Sequence, residues 1–296
     1  MATVAFIGLG NMGGPMAANL VKAGTHVHAF DLVADLVRAA VTAGAEPVRS
    51  AREAMDGADA VITMLPAGEH ARAVWADILP VAKPGTPLID CSTIDVDSAR
   101  ELHAMARASR CLSLDAPVSG GVGGARAATL TIMCGGSAEA FAAGKPFLEK
   151  VGKRIIHCGE PGAGQAAKIV NNMILGVSMI AVSEGFILAE KLGLSHQAMF
   201  DVVSTASGQC WSLTSYCPAP GLVPTSPANN GYKPGFSAAL MLKDLKLAQQ
   251  AAASAGAATP LGAEAAQIYA LFNNAGGAGV DFSGVIRYLR GEKGGA

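Results

Sequence analysis

Charge is scarce in this chain. Only 15% of its 296 residues are Asp, Glu, Lys or Arg, and 22 basic residues stand against 23 acidic ones. Such a balance leaves no basic excess to hold nucleic acid and no acidic tail. Clustered cysteine is lacking as well: the six cysteines are scattered without the CxxC or CxH spacing of a metal site. Several lie in strand-like runs, so they read as small core hydrophobes in a reducing compartment. No internal repeat or low-complexity tract is present. The most apolar run, 173–189, is short for a membrane span, contains Glu184 and meets Glu190 and Lys191, which suits a buried helix better. No secretory leader precedes the strand-like run that begins at Thr3. The expected location is therefore cytoplasmic, and a processed mitochondrial form is compatible with it. What remains is a chain that is 51% hydrophobic and longer than one core usually supports, so two domains are expected.

The run Thr3 to Ile7 has the continuous apolar character of a buried strand, and Gly8-Leu9-Gly10-Asn11-Met12-Gly13 follows at once. A helical pattern over 16–24 comes next, then a strand over 26–30 that ends at Asp31. A GxGxxG alone says little. Between a strand and a helix, with an acid about 20 residues on, it acquires mechanical meaning. Gly8 makes the tight turn, Gly10 lets the backbone approach a pyrophosphate, and Gly13 lets the helix pack close to the strand. The helix N-terminus offers its amides to the phosphates. Asp31 can accept from a ribose diol and would repel a 2′-phosphate, which favours NAD over NADP. Strands over 60–65, 87–90 and 111–115 then alternate with helices over 69–79 and 95–108, the pattern of a doubly wound parallel sheet. Further strands over 129–134 and 154–158 flank a helix over 138–151. Ligands of such sheets bind at the carboxyl ends of the strands, here Leu65-Pro66, Cys91-Ser92-Thr93 and the run 116–121. Thr93 serves equally well as a helix cap. Ser119, Gly120 and Gly121 open a stretch too glycine-rich for a plain connector, and successive N–H groups with a hydroxyl suit a carboxylate.

From Pro161 onward the periodicity is helical. Lys168 and Asn172 stand four apart, on one face of a helix whose following residues are apolar on every side, so a buried helix is expected. A lysine there meets packed apolar surface and the positive end of the helix dipole, and both favour the neutral amine of a proton-transferring group. A solvated lysine on an exposed first turn is the alternative that this segment alone leaves open. Helices follow over 195–207, 238–255, 260–274 and 282–289, with Ser195 and Thr259-Pro260 as start signals. The irregular stretch 208–235 carries Trp211, Tyr216 and Tyr232, with Phe236 just beyond. These rings could wall a small apolar site or simply pack. Lys243 and Asp244 read from the spacing as a surface ion pair.

Four stretches together are similar to the β-hydroxyacid dehydrogenase family: Phe6 to Met16, Asp115 to Gly121, Gly162 through Lys168 to Asn172, and Phe236 through Lys243-Asp244. They span nearly the whole chain. The loop residues Ser207 to Trp211, Tyr216, 218–221 and 230–232 resemble the branch of the family that acts on 3-hydroxyisobutyrate. That branch usually has Ser-Ser-Gly where this chain has Ala206-Ser207-Gly208, a departure that leaves the catalytic set intact. The resemblance implies an α/β Rossmann-type doubly wound domain over 1–162 and an all-α domain over 163–296, joined by a long interdomain helix at about 164–192. It implies Lys168 as catalytic group and Asn172 as its substrate-orienting neighbour. Gly8, Leu9, Gly10, Asn11, Met12, Gly13, Asp31, Leu65, Pro66, His70, Thr93 and Lys243 would line the NAD site. Ser119, Gly120, Gly121, Trp211, Phe236 and Asp244 would face the substrate.

The implied reaction is NAD-dependent oxidation of a small 3-hydroxy acid, by a homodimer or homotetramer without nucleic-acid or membrane partners. No metal is required, and no His/Cys/Asp cluster in the sequence suggests one. A tartronate or succinate semialdehyde reductase is the rival within the class, and Asp31 argues against it. A non-catalytic NAD-binding scaffold is the rival outside it, and the joint presence of Lys168, Asn172 and Ser119 argues against that.

Overall fold

In the computed structural model, which describes residues 1–292, the short apolar runs become strands. They are β1 Thr3–Ile7, β2 His26–Phe30, β3 Glu46–Pro47, β4 Ala60–Thr63, β5 Pro87–Asp90, β6 Leu112–Asp115, β7 Val118–Ser119, β8 Leu130–Gly135 and β9 Gly152–Gly159. They join in the order β3-β2-β1-β4-β5-β6-β8-β7, with β9 on β8. From β3 to β6 every pairing is parallel, as expected. Beyond β6, where the sequence assigned no direction, β8 runs antiparallel to β6 and β7, and parallel to β9. Residues 120–129 are too few for the crossover that a parallel connection from β7 would need.

Neighbouring residues of β1 serve opposite faces of the sheet. Val4 and Phe6 pack with Met16 and Leu20 of the helix Gly13–Lys22. Ala5 and Ile7 pack with Trp75, Ile78 and Leu102 from the helices Gly68–Ile78 and Val96–Ala108. A parallel sheet covered on both sides reads as a continuous apolar run for this reason. Each large side chain buried this way contributes about 1.5–3 kcal/mol. Sequence periodicity missed the helices Ala34–Thr42 and Ala51–Ala54 and the two-residue β3 between β2 and β4. It also missed the helix Gly121–Ala127, whose glycines oppose helix formation. Tertiary contacts hold that helix: Ala125 is fully buried, and the Asn19 side chain donates to the Ala125 carbonyl at 2.6 Å.

Contacts divide the chain into two compact units, Met1–Lys168 and Ile169–Ala296; the end of the expected helical domain at 296 lies outside the described residues. The second unit contains the helices His196–Val203, Trp211–Thr214, Ala238–Ala255, Pro260–Asn274 and Val285–Leu289. Ser195 and Ser237 cap their helices by accepting from the amides of Ala198 and Leu240. The expected helix over 195–207 ends at Val203, and that over 282–289 begins as a 3-10 turn. One cluster gathers Met179, Met241, Leu245, Tyr269 and Phe272, and another gathers Phe186, Met199, Leu213 and Tyr232. The stretch 208–235 is irregular apart from Trp211–Thr214 and the turn Pro227–Asn230. Asp281, fully buried, fastens it: Oδ2 accepts from the Tyr216 hydroxyl at 2.9 Å and from the amides of Gly235 and Phe236 at 2.9 and 3.2 Å.

The long helix runs from Ala163 to Lys191, 29 residues. The expectation that it is buried on every side is corrected, since Val170, Ile174 and Leu188 are 53%, 59% and 60% exposed. Its bounds agree with the long helix expected at about 164–192. Among the described residues this is one helix long and apolar enough to cross a membrane, and 44% of its most apolar window is buried within the protein.

Candidate active site

The glycine turn after β1 has the geometry its sequence required. Gly8 sits at φ +96°, and a Cβ there would run into the carbonyl of Met64. A Cβ on Gly13 would strike the carbonyl of Gly8, so only glycine lets this helix start against the turn. At Gly10 a Cβ would meet nothing, which leaves the backbone open to a close-lying group. Asp31 closes the turn from β2: Oδ2 accepts from the Leu9 amide at 2.7 Å and Oδ1 from the Val33 amide at 2.8 Å. An open glycine, a helix N-terminus and a carboxylate on one turn fit a dinucleotide.

The ends of β4 and β5 are tied together beside it. Ser92 accepts from the Leu65 amide at 2.8 Å and donates to Asp90 at 2.6 Å, and Thr63 donates to the same carboxylate at 2.6 Å. Complete burial pushes the Asp90 carboxyl up, with the Ser92 and Thr63 hydrogen bonds opposing. Pro66 is exposed and Thr93 half-buried on these loops, while His70 stands exposed in the first turn of the helix Gly68–Ile78. Asp95, not Thr93, caps the helix Val96–Ala108, accepting from the Ser98 amide at 2.7 Å.

Lys168 is 7% exposed, and its Nζ donates to the carbonyl of Val118 at 2.8 Å. The alternative of a solvated lysine is thereby removed. The amine is anchored one residue before Ser119, and Gly120 and Gly121 follow at φ +136° and +60°. Two successive left-handed residues turn the chain where side chains are strained, so glycine is required at both.

Asn172 is 2% exposed, its Nδ2 donates to Asp244 at 2.5 Å, and its Oδ1 accepts from Asn171 at 2.9 Å. Asp244 is buried too, which corrects the surface-pair reading of Lys243-Asp244; Lys243 is half-buried beside it. Of the four expected rings, Trp211 stacks on Tyr216 at 5.0 Å, Tyr216 on Phe282 at 5.3 Å, and Phe236 meets the edge of Phe282 at 5.7 Å. Tyr232 stands outside the stack, with its hydroxyl donated to the Pro218 carbonyl at 2.8 Å.

Two residues that carry this arrangement were missed as such. Asp115 is buried at the end of β6, and its oxygens accept from the amides of Gly162 at 2.9 Å and Gln165 at 2.8 Å. It therefore holds the first turn of the helix that carries Lys168, with His103 at 2.9 Å on the same oxygen as Gly162. Gln165 is fully buried and clamps the loop that bears Thr93, donating to the Ser92 carbonyl at 2.7 Å and accepting from the Ile94 amide at 3.2 Å. Their signal was available: an acid and an amide inside apolar strand-and-helix patterns need partners. A third grouping, apart from this arrangement, brings His26, His28 and Glu46 together on the sheet at β2 and β3.

Comparison with known proteins agrees with this geometry. Residues 3–159 match the family described as the NAD binding domain of 6-phosphogluconate dehydrogenase, and residues 162–289 match the NAD-binding family of NADP-dependent 3-hydroxyisobutyrate dehydrogenase. The chain is 56% identical over 290 residues to a Mycobacterium tuberculosis protein named "Probable 3-hydroxyisobutyrate dehydrogenase", with 98% of each covered. It is 47% identical over 286 residues to the NAD-dependent L-serine dehydrogenase of Pseudomonas aeruginosa, with 96% of each covered. A solved structure of M. tuberculosis 3-hydroxyisobutyrate dehydrogenase with L-serine superposes with a TM-score of 0.94 at 56% identity, covering 98% of this chain and 99% of that one. A glycine turn fit for NAD, a buried lysine beside a glycine nest and full-length likeness converge: the chain belongs to the 3-hydroxyisobutyrate dehydrogenase family, as an NAD-dependent dehydrogenase of a small hydroxy acid.

Proposed function

We propose that this protein oxidises 3-hydroxyisobutyrate to methylmalonate semialdehyde, a step of valine catabolism, with Lys168 as general acid and base. The observation that carries the reading is the buried Lys168 amine, held on the Val118 carbonyl at 2.8 Å next to Ser119-Gly120-Gly121. Bound NAD supplies a hydride acceptor for C3. The amides of the glycine nest and the Ser119 hydroxyl hold the substrate carboxylate, and neutral Lys168 takes the hydroxyl proton as C3 is oxidised. In reverse the ammonium returns that proton. Asn172, a helical turn beyond Lys168 and fixed by Asp244, orients the hydroxyl. Trp211 and Phe236 are assigned to the substrate and Lys243 to the cofactor. Asp31 selects NAD, because a 2′-phosphate beside a carboxylate already bound to two amides adds like-charge repulsion. Homo-oligomeric assembly in the cytoplasm completes the reading.

L-serine is a second reading, favoured by the name of the P. aeruginosa relative and by the L-serine in the M. tuberculosis structure. It is also a 3-hydroxy acid, with an ammonium where 3-hydroxyisobutyrate has a methyl. One experiment separates the two: kcat/KM for 3-hydroxyisobutyrate, L-serine, glycerate and 4-hydroxybutyrate, each with NAD and with NADP. The highest value with 3-hydroxyisobutyrate and NAD is expected. A higher value for L-serine moves the substrate assignment, and a preference for NADP removes the role given to Asp31.

A further inference from the structure

At the amino-terminal end of the sheet, away from the carboxyl ends of the strands, His26 and His28 project from one face of β2, as residues two apart on a strand must. β3 lies beside them, and its Glu46 is the register partner of His28. One nitrogen from each imidazole and one carboxylate oxygen lie within 4.8 Å of one another. The two rings meet edge to face, with centroids 4.9 Å apart and planes at 80°. His26 Nε2 is 2.7 Å from Glu46 Oε2, with the two side chains 43% and 55% exposed. His28 Nδ1 lies 3.0 Å from the carbonyl of Ala54. A carbonyl only accepts, so Nδ1 carries the proton and Nε2 of the neutral ring keeps its lone pair. A ring nitrogen fixed on a backbone carbonyl while the other is left to ligate is the usual support of a metal-bound histidine.

We propose that His26, His28 and Glu46 form a surface site for a divalent transition metal of the zinc class, distinct from the dehydrogenase site. Two imidazoles and a carboxylate are a known zinc donor set, with solvent completing the tetrahedron. Ligand bonds of about 2.0–2.2 Å require small side-chain rotations from the present separations. The ion's structural effect follows from the topology. β3 is an edge strand of two residues, and a bond from Glu46 to two side chains of β2 clips it to the sheet.

The test uses the full chain, stripped with chelator and titrated calorimetrically with zinc chloride alone near neutral pH. One ion per chain is expected, with affinity at least about tenfold weaker in His26→Ala and in His28→Ala. Zinc should raise the Tm of the wild type and leave that of His28→Ala unchanged. Dehydrogenase turnover and NAD affinity should match the wild type in both variants, which also shows that they are folded. Cobalt in place of zinc should give a spectrum without a thiolate charge-transfer band. No saturable binding overturns the proposal, as does unchanged affinity in either variant or a thiolate band, which would place the ion on cysteine.

Discussion

In the proposed reaction Lys168 carries the proton transfer, and its burial sets the terms. An amine that is 7% exposed and held on the Val118 carbonyl has few ways to exchange a proton except with a group bound beside it. Lys168→Ala is expected to lower kcat by roughly 10²–10⁴-fold, the usual share of general acid–base catalysis. NAD affinity should survive, because the glycine turn and Asp31 make no use of that amine. Lys168→Arg should restore little, since a guanidinium stays charged at any working pH. Single-turnover hydride transfer is the measurement, and a near-normal rate in the alanine variant would take Lys168 out of the mechanism. Gly121 lends itself to a complementary test. At φ +60° a valine is strained whatever the space around it. Gly121→Val should raise KM for the hydroxy acid while the Kd of NAD hardly changes. A collapse of cofactor affinity instead would assign the turn to the dinucleotide.

Elements are fastened here by buried carboxylates, and two of them make separate predictions. Asp115 joins the end of β6 to the start of the long helix through the amides of Gly162 and Gln165. Asp115→Asn keeps the shape but loses the charge and one of the two acceptor oxygens, so one of those bonds is lost, a cost of about 1.5–3 kcal/mol. Chemical denaturation should report that loss. Kinetics should show a fall in kcat larger than any change in the Kd of NAD, because the displaced turn carries Lys168. Unchanged kcat would confine Asp115 to stability.

Asp90 at the end of β5 predicts a pH dependence. Burial raises its folded pKa above the ordinary value of an aspartate, so the native state binds the proton more tightly than the unfolded chain. Its contribution is fully present below the unfolded value and is lost as pH rises through the folded one. Asp90→Asn removes that loss. The variant should therefore gain stability relative to the wild type as the buffer is taken from acid to neutral, read from Tm at successive pH values. A parallel course of the two Tm curves would refute the assignment.

For the whole molecule, the long helix is the decisive feature. Val170 and Ile174 stand four apart on it and are more than half exposed, an arrangement that leaves an apolar stripe in water. The proposed assembly of like copies would cover that stripe. Ile174→Glu should shift the mass measured by light scattering toward the monomer, whereas an unchanged mass would place the interface elsewhere.

The strands β1, β2, β4, β5 and β6, the glycine turn and the helix bearing Lys168 were legible in the sequence because each is a local pattern. Period-two or continuous apolar runs, glycine at fixed spacing and cap residues act over a few positions, where chain geometry alone decides. The helix Gly121–Ala127 was not legible, because its glycines oppose it and only contacts such as Asn19 to Ala125 hold it. The antiparallel turn of β8 depends on the short connection 120–129 being returned across the sheet edge, which no window of sequence displays. Whether Asp244 was a surface charge or the buried partner of Asn172 was likewise decided 72 residues away along the chain. The sequence by itself determined which residues could turn, cap and line the sheet. Tertiary structure alone decided which buried polar groups found one another, because a hydrogen bond between distant positions leaves no periodicity behind it.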